Sequence, residues 1–295
     1  MEIQQGLIGK GREAIGIIAD NDTFKENVIE DYSFDPEIGP GAVIGTVNIN
    51  GEAATIIAND AMAINPKFPV VYFGIIGMEE ANKMAMAVYY TIEADKEKPI
   101  EEKRPLILVV DTPGNGPGKV EEIIGMNKAT GGYQLALAEA RKKGHTVIAI
   151  VIGRAISGAF LCHGLQADNI LSLSKEFQTM IHVMPLTSIS RITKLDIERL
   201  EELSKVNPVF ASGAEFFEKL GGVEEVVKKI EDMPETIIKH INEVREYKKA
   251  GQAEKTGPWG RGLLGDQRGG RVTRMSVIEK MNEEYEDVAE KYLKA

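Results

Sequence analysis

Two short apolar runs each end in a glycine-rich turn that leads into a helix, and this repeated step limits the folds open to the chain. The first run, Leu106–Val110, is followed by Asp111-Thr112-Pro113-Gly114-Asn115-Gly116-Pro117-Gly118. The second, Val147–Ile152, is followed by Gly153-Arg154-Ala155-Ile156-Ser157-Gly158-Ala159. Strands that hand over repeatedly to helices imply an α/β architecture. Glycines at the handover let backbone N–H groups approach a ligand, and a helix N-terminus adds partial positive charge. Such junctions can hold an oxyanion without a cationic side chain.

Composition narrows the possible functions. The 295 residues, 43% of them hydrophobic, can bury the core of one large α/β domain or two small ones. A net charge of −10 is the opposite of a nucleic-acid footprint, although local basic clusters could still receive anionic ligands. The single cysteine, Cys162, excludes an intrachain disulfide and a multi-cysteine zinc site, and it suits a reducing cytosol. The opening Met1-Glu2-Ile3-Gln4-Gln5 has neither the basic nor the apolar region of a secretion signal. No apolar stretch is long enough to span a bilayer. The expectation is a soluble, cytoplasmic protein with no nucleic-acid partner.

Along the chain, residues 1–40 read as an irregular lead-in with glycines at 6, 9 and 11. Asn50-Gly51 between residues 41–48 and 52–58 predicts a hairpin. Pro69–Phe73 is expected as a short strand. Gly77 opens a helix with Ala81, Met84, Ala85, Val88 and Ile92 on one face. Strand 105–110, helix 120–143, strand 146–152 and a helix to about Gln166 follow. Asn169–Ser174 and Phe177–Val183 suggest strands, and 195–206, 212–220, 222–231 and 234–250 suggest helices. A Gly/Arg-rich loop, 256–274, precedes a terminal helix with Val277, Met281, Tyr285, Val288 and Tyr292 on one face, expected to complete its own domain. No repeat of fixed period is visible.

The two turns, in this order and separated by one helix and one strand, resemble the signature of carboxyltransferases of the crotonase-like fold. Asp111 to Gly118 matches that family's D-T-P-G-x-x-P-G segment, and Gly153 to Gly158 matches its Gly-x-x-x-Ser-Gly segment. Ser157-Gly158-Ala159-Phe160-Leu161 with His163-Gly164-Leu165-Gln166-Ala167 resembles the malonate decarboxylase gamma subunit family. The likeness spans about residues 41–230. It implies a spiral of strand–strand–helix units. The expected division is a lead-in (1–40), a crotonase-like carboxyltransferase domain (41–235) and a helical tail (236–295).

The resemblance also implies a chemistry. The substrate would be a malonyl thioester on an acyl carrier protein or coenzyme A, carried by a phosphopantetheine-type arm and converted to the acetyl thioester. Breaking the carbon–carbon bond leaves charge on the thioester oxygen, and fixed N–H donors lower that barrier. In this family the site lies between two homologous halves, so a beta-type partner subunit is implied. Gly114, Asn115 and Gly116 would shape one wall, and Ser157, Gly158 and Ala159 would supply backbone donors. The carboxyl group would be released, or moved to biotin carried elsewhere. Biotin attachment segments place a lysine between two methionines, and Lys83-Met84-Ala85-Met86 lacks that arrangement. The competing readings are half of a biotin-dependent acyl-CoA carboxyltransferase and a non-catalytic scaffold subunit. A bulky residue at Gly158 is expected to abolish activity by blocking backbone approach.

Other readings of the same residues are weaker. Asp-Thr-Pro-Gly also occurs in GTPases, but no G-x-x-x-x-G-K-[ST] loop precedes it. Ser157 lacks the G-x-S-x-G frame of a nucleophile elbow. Of the four histidines, His163 is expected to pack in its helix, and His182 could reach a cleft. Cys162 is expected as a buried thiol. Arg154 and Arg191 read equally as carboxylate ligands or as exposed loop residues. Arg261, Arg268, Arg271 and Arg274, with six glycines between Gly257 and Gly270, read equally as a site for an acidic carrier or as a flexible loop.

Overall fold

Asn50 and Gly51 take φ values of 52° and 77°, which folds β4 (Ala42–Ile49) back on β5 (Glu52–Asn59) as an antiparallel hairpin. In this computed structural model, which describes residues 5–182, 184, 186–204 and 213–293, that hairpin seeds an eight-stranded sheet. Strands β6 (Leu106–Thr112), β7 (Val147–Ile156) and β8 (Asn169–Leu173) add in parallel, in the order β5-β6-β7-β8. β10 (Glu225–Val227) extends the sheet beyond β8, and β1 (Lys25–Glu26) closes the other edge against β4. β9 (Met180–His182) pairs with the far end of β7, while β2 (Val28–Ile29) and β3 (Tyr32–Ser33) form a separate ribbon.

Every residue of β6, β7 and β8 is buried, as a parallel sheet covered on both faces requires. One face is covered by α2 (Met78–Ala94), α4 (Met126–Lys142) and α5 (Ser157–Cys162). Their Met84, Val88, Tyr133, Leu137 and Phe160 join Leu108, Val110, Ala149 and Val151 in one core. The other face is covered by α1 (Gly11–Ile18) and α9 (Met233–Lys249), whose Ile15, Ile18, Ile237 and Ile241 join Ile107, Val109, Ile148 and Ile150. The lead-in and the tail therefore each contribute a helix to the core, and the lead-in is not irregular throughout.

Several elements differ from the sequence expectations. Residues 69–73 form loop rather than strand, because Pro69 and the positive φ of Phe73 (56°) and Gly74 (87°) break extension. The expected helix 120–143 is two helices, α3 (Lys119–Ile124) and α4, separated by Gly125 at φ 117°. Residues 225–227 form the edge strand β10 instead of helix, favoured by paired valines beside an open sheet edge. β7 runs four residues further than expected, and α5 stops at Cys162. The expected helices 195–206 and 212–220 are represented by α7 (Ile197–Ser204) and α8 (Ala214–Lys219), after α6 (Leu186–Thr193). Their expected ends, Lys205, Val206 and Ser212, and Val183 of the expected strand, lie outside the described residues.

The Arg-rich segment is neither a flexible loop nor a free cationic patch. Residues 257–267 form α10, and its guanidinium groups serve the backbone. Arg261, buried, donates to the carbonyls of Leu165, Ala167 and Asp168. Arg268 donates to Glu218, Val223 and Glu224, and Arg271 to Leu220. α11 (Arg274–Leu293) has no buried residue, so its apolar stripe does not complete the domain core. Replacing Arg261 with alanine removes the donors from three carbonyls around the end of α5. It is expected to cost about 2–4 kcal/mol of stability, read as a lower urea midpoint at unchanged m-value.

Candidate active site at the two strand-to-helix junctions

Because β6 and β7 are parallel neighbours, their carboxyl ends lie side by side, with Thr112 paired to Ala155. At the first junction Gly114 adopts φ 147° and its N–H lies 3.3 Å from Thr112 Oγ1. The Ile76 N–H donates to the Gly114 carbonyl (3.1 Å), and the Gly116 N–H donates to the Ile76 carbonyl (2.9 Å). Asn115 is thus held as a one-residue parallel bridge to Ile76. Both glycine N–H groups already have acceptors, so this junction forms a wall and holds no free donor at either glycine.

The second junction is built differently. Gly153–Ile156 continue β7, and residues 154–156 pair with β9, so the change of direction occurs at Ser157. Ser157 is exposed and takes φ 57°, a left-handed conformation uncommon for a residue with a β-carbon. α5 begins at this residue. The first N–H groups of a helix have no acceptor within it, which leaves those of Gly158 and Ala159 as the donor candidates.

The two junctions touch. A β-carbon built on Gly114 would lie 4.0 Å from Ser157 Cβ, and one built on Gly158 would lie 2.8 Å from Asn115 Nδ2. The space over Gly158 is therefore filled by the Asn115 carboxamide, and that contact is what demands glycine there. Asn115 Oδ1 is buried without a hydrogen-bond partner among the described residues. A buried unpaired amide oxygen costs about 1–3 kcal/mol. Gly116 faces Val70 and Gly77 instead of the second junction.

Several groups named from sequence are structural. His163 is fully buried, with Nε2 donating to the Val109 carbonyl (3.0 Å) and Nδ1 facing the Tyr133 hydroxyl (3.0 Å). Burial lowers its pKa to about 4, so it stays neutral. Cys162 is buried, and burial pushes its thiol up to about 12. His182 is lowered by burial and is registered opposite Ile156 rather than Ser157. Among the described residues no hydrogen bond joins Ser157 to a histidine. Arg154 does meet a carboxylate, that of Asp111, and is buried; Arg191 is exposed on α6. Sequence reasoning did not single out Phe73, Gly74 or Ile76 and noted Gly9 only within the lead-in, yet Gly9, Gly74 and Ile76 brace the first junction and Phe73 covers Arg154 of the second. A Phe-Gly pair in a loop gives no signal beyond a turn.

The mixed sheet covered on both faces, with glycine junctions at the ends of two neighbouring parallel strands, is shared with crotonase-like carboxyltransferases. A chain of transcarboxylase 12S, 20% identical, shares it at TM-score 0.61 over 81% of this chain and 41% of its own. Residues 73–285 match the malonate decarboxylase gamma subunit (MdcE), and the chain belongs to that family. The malonyl-S-ACP:biotin-protein carboxyltransferase MADD of Malonomonas rubra is 66% identical over 288 residues, 97% of this chain and 99% of that protein. A chain of a Pseudomonas malonate decarboxylase hetero-tetramer, solved with coenzyme A, is 27% identical at TM-score 0.71, covering 93% of this chain and 99% of its own. In a Pseudomonas MdcD-MdcE hetero-dimer the match is 30% identical at TM-score 0.64, over 84% of this chain and 94% of the other. No described helix is long and apolar enough to cross a membrane, and no described cluster of His, Cys, Asp and Glu could hold a metal.

Two outcomes test this geometry. Gly158→Ala is expected to destabilise the chain by about 1–3 kcal/mol through overpacking. Adding Asn115→Gly should recover most of that loss, seen as a coupling in a double-mutant cycle of urea midpoints. The second concerns acid. Unfolded His163 takes up a proton near 6.5 and the folded residue only near 4, so its contribution to stability is constant above about 6.5 and is lost as pH falls through that window. Titrating stability from pH 7 to 4 should give a shallower decline for His163→Gln than for the parent.

Proposed function

We propose that this chain is the carboxyltransferase-type subunit that moves the carboxyl group of a malonyl thioester, carried on acyl carrier protein, to protein-bound biotin. The acetyl thioester is the other product. The carrying observation is the Ser157–Ala159 junction against the unpaired Asn115 carboxamide, in a chain 66% identical to a malonyl-S-ACP:biotin-protein carboxyltransferase. The same likeness favours transfer to biotin over free release of carbon dioxide.

In this reading the N–H groups of Gly158 and Ala159 stabilise an oxygen that gains negative charge during transfer. Asn115, held by Ile76, forms the opposing wall and offers an amide to the bound reactant. Ser157 presents the turn that exposes the donors and is not a nucleophile. Biotin supplies a ureido nitrogen as carboxyl acceptor. The bond between the malonyl α-carbon and its carboxylate breaks, a nitrogen–carbon bond forms, and the ureido proton is the one the α-carbon gains. The second half of the site comes from a homologous beta-type subunit. α3, directly after the first junction, turns Val120, Ile123 and Ile124 to solvent on one side, as an unfilled subunit contact would.

The test uses malonyl-acyl carrier protein labelled in the free carboxyl group. Label should reach a biotinylated carrier protein only when this chain and its companion subunit are both present. Carbon dioxide release without biotin would replace the proposal with a biotin-independent decarboxylase. Full transfer by the chain alone would overturn the shared site. Ile123→Glu with Ile124→Glu should weaken subunit association at least about tenfold in sedimentation, without unfolding the chain.

A further inference from the structure

We infer that Asp111 and Arg154 form a positioning clamp that fixes the spacing of the two junctions; its catalytic consequence rests on the function proposed above. The register between β6 and β7 shifts here: Val110 pairs with Val151, but Thr112 pairs with Ala155. One residue of β6, Asp111, therefore faces three residues of β7. The Asp111 carboxylate fills that irregularity. Its Oδ1 accepts from the Arg154 N–H (2.8 Å) and Nε (2.8 Å), and its Oδ2 accepts from Arg154 Nη2 (2.9 Å) and the Gly9 N–H (2.7 Å). Glycine is required at 153, where a β-carbon would lie 2.6 Å from Asp111 Oδ1.

The clamp is closed from above by the loop before α2. The Phe73 ring lies over the Arg154 guanidinium at 4.2 Å, in a left-handed conformation (φ 56°). Gly74 follows at φ 87°, where a β-carbon would approach Arg154 Nη2 to 3.1 Å. Arg154 Nη1 is buried without a partner among the described residues. A buried ion pair of this kind is weak evidence for stability, since apolar replacements are often as stable. What the fork does fix is direction. Three residues beyond Arg154 stands Ser157, and four beyond Asp111 stands Asn115, so the pair sets where donors and wall meet. Displacing reacting groups by about an ångström costs on the order of 10²-fold in rate, while contacts to the remote carrier are untouched.

The test compares the parent and Arg154→Lys as full chains in complex with the companion subunit. Lysine keeps the charge but not the two-pronged geometry. kcat per folded complex should fall at least about tenfold, while KM for the malonyl thioester stays within about threefold. Hydrogen exchange should quicken at residues 112–116 and 154–156 and not across β5 or β8. Phe73→Leu, at a half-exposed site with little folding risk, should give a smaller fall in kcat of the same kind. Parental kcat in Arg154→Lys, or a loss residing wholly in KM, overturns the clamp. If the parental complex transfers no carboxyl group, the functional proposal fails separately. The clamp is then judged by exchange alone and is overturned if both junctions exchange at the parental rate.

Discussion

Everything at the candidate site follows from β6 and β7 running parallel as neighbours at the centre of a sheet covered on both faces. Parallel neighbours cannot be joined by a tight turn, so a helix must return the chain between them, and both strands finish at the same edge. Two junctions separated by more than forty residues of sequence thereby become adjacent. Burial on both faces also makes the strands insensitive to side-chain alternation. Nearly every position from Leu106 to Thr112 and from Val147 to Ile156 is apolar or polar with an internal partner. The helices that cover the sheet come from opposite ends of the chain, α1 and α9 on one face and α2, α4 and α5 on the other.

The junctions were legible in sequence because glycine and proline punctuate strand ends strongly, and the hairpin at Asn50-Gly51 was legible for the same reason. The role of each glycine was not. Gly158 suggests room for a ligand to approach the backbone, yet the nearest atoms belong to Asn115, forty-three positions earlier in the chain. Gly114 and Gly116 suggest a wall, and what the sequence does not reveal is that their N–H groups are tied to Thr112 and Ile76. No local pattern encodes these pairings, because they arise from the register between β6, β7 and the loop before α2. The Arg-rich tail misled for a related reason. Charge counted along a sequence says nothing of the carbonyls that Arg261 and Arg268 meet across the fold. β10 was hidden because a three-residue strand at a sheet edge has no periodicity to detect.

The geometry of the second junction resembles a nucleophile elbow in one respect, a strained serine between a strand and a helix, and departs from it in the one that matters. A serine nucleophile needs a base within hydrogen-bond reach. His163 is two helical turns away and locked between Val109 and Tyr133, and His182 is aligned with Ile156. What the strain at Ser157 achieves is an abrupt start to α5 directly at the end of β7. In the function proposed above, the same turn acts through its backbone donors and not as a covalent catalyst.

A site of this kind has no need of a titrating side chain from this chain, provided the reactants exchange the proton between themselves. On the proposed reaction they do: the nitrogen that accepts the carboxyl group loses a proton, and the carbon that loses the carboxyl group gains one. The chain then has to hold two groups close and stabilise charge, which fixed backbone donors do without reorganising. Fixed donors are effective only if their positions are set to within a fraction of an ångström, and no glycine-rich turn is stiff by itself. The stiffness has to come from beneath, where Asp111 joins β6 to β7 through three hydrogen bonds with Arg154 and takes a fourth from Gly9, and where Phe73 covers the arginine. Flexible residues at the surface of the site and a rigid ion pair below it are, on this argument, two parts of one device.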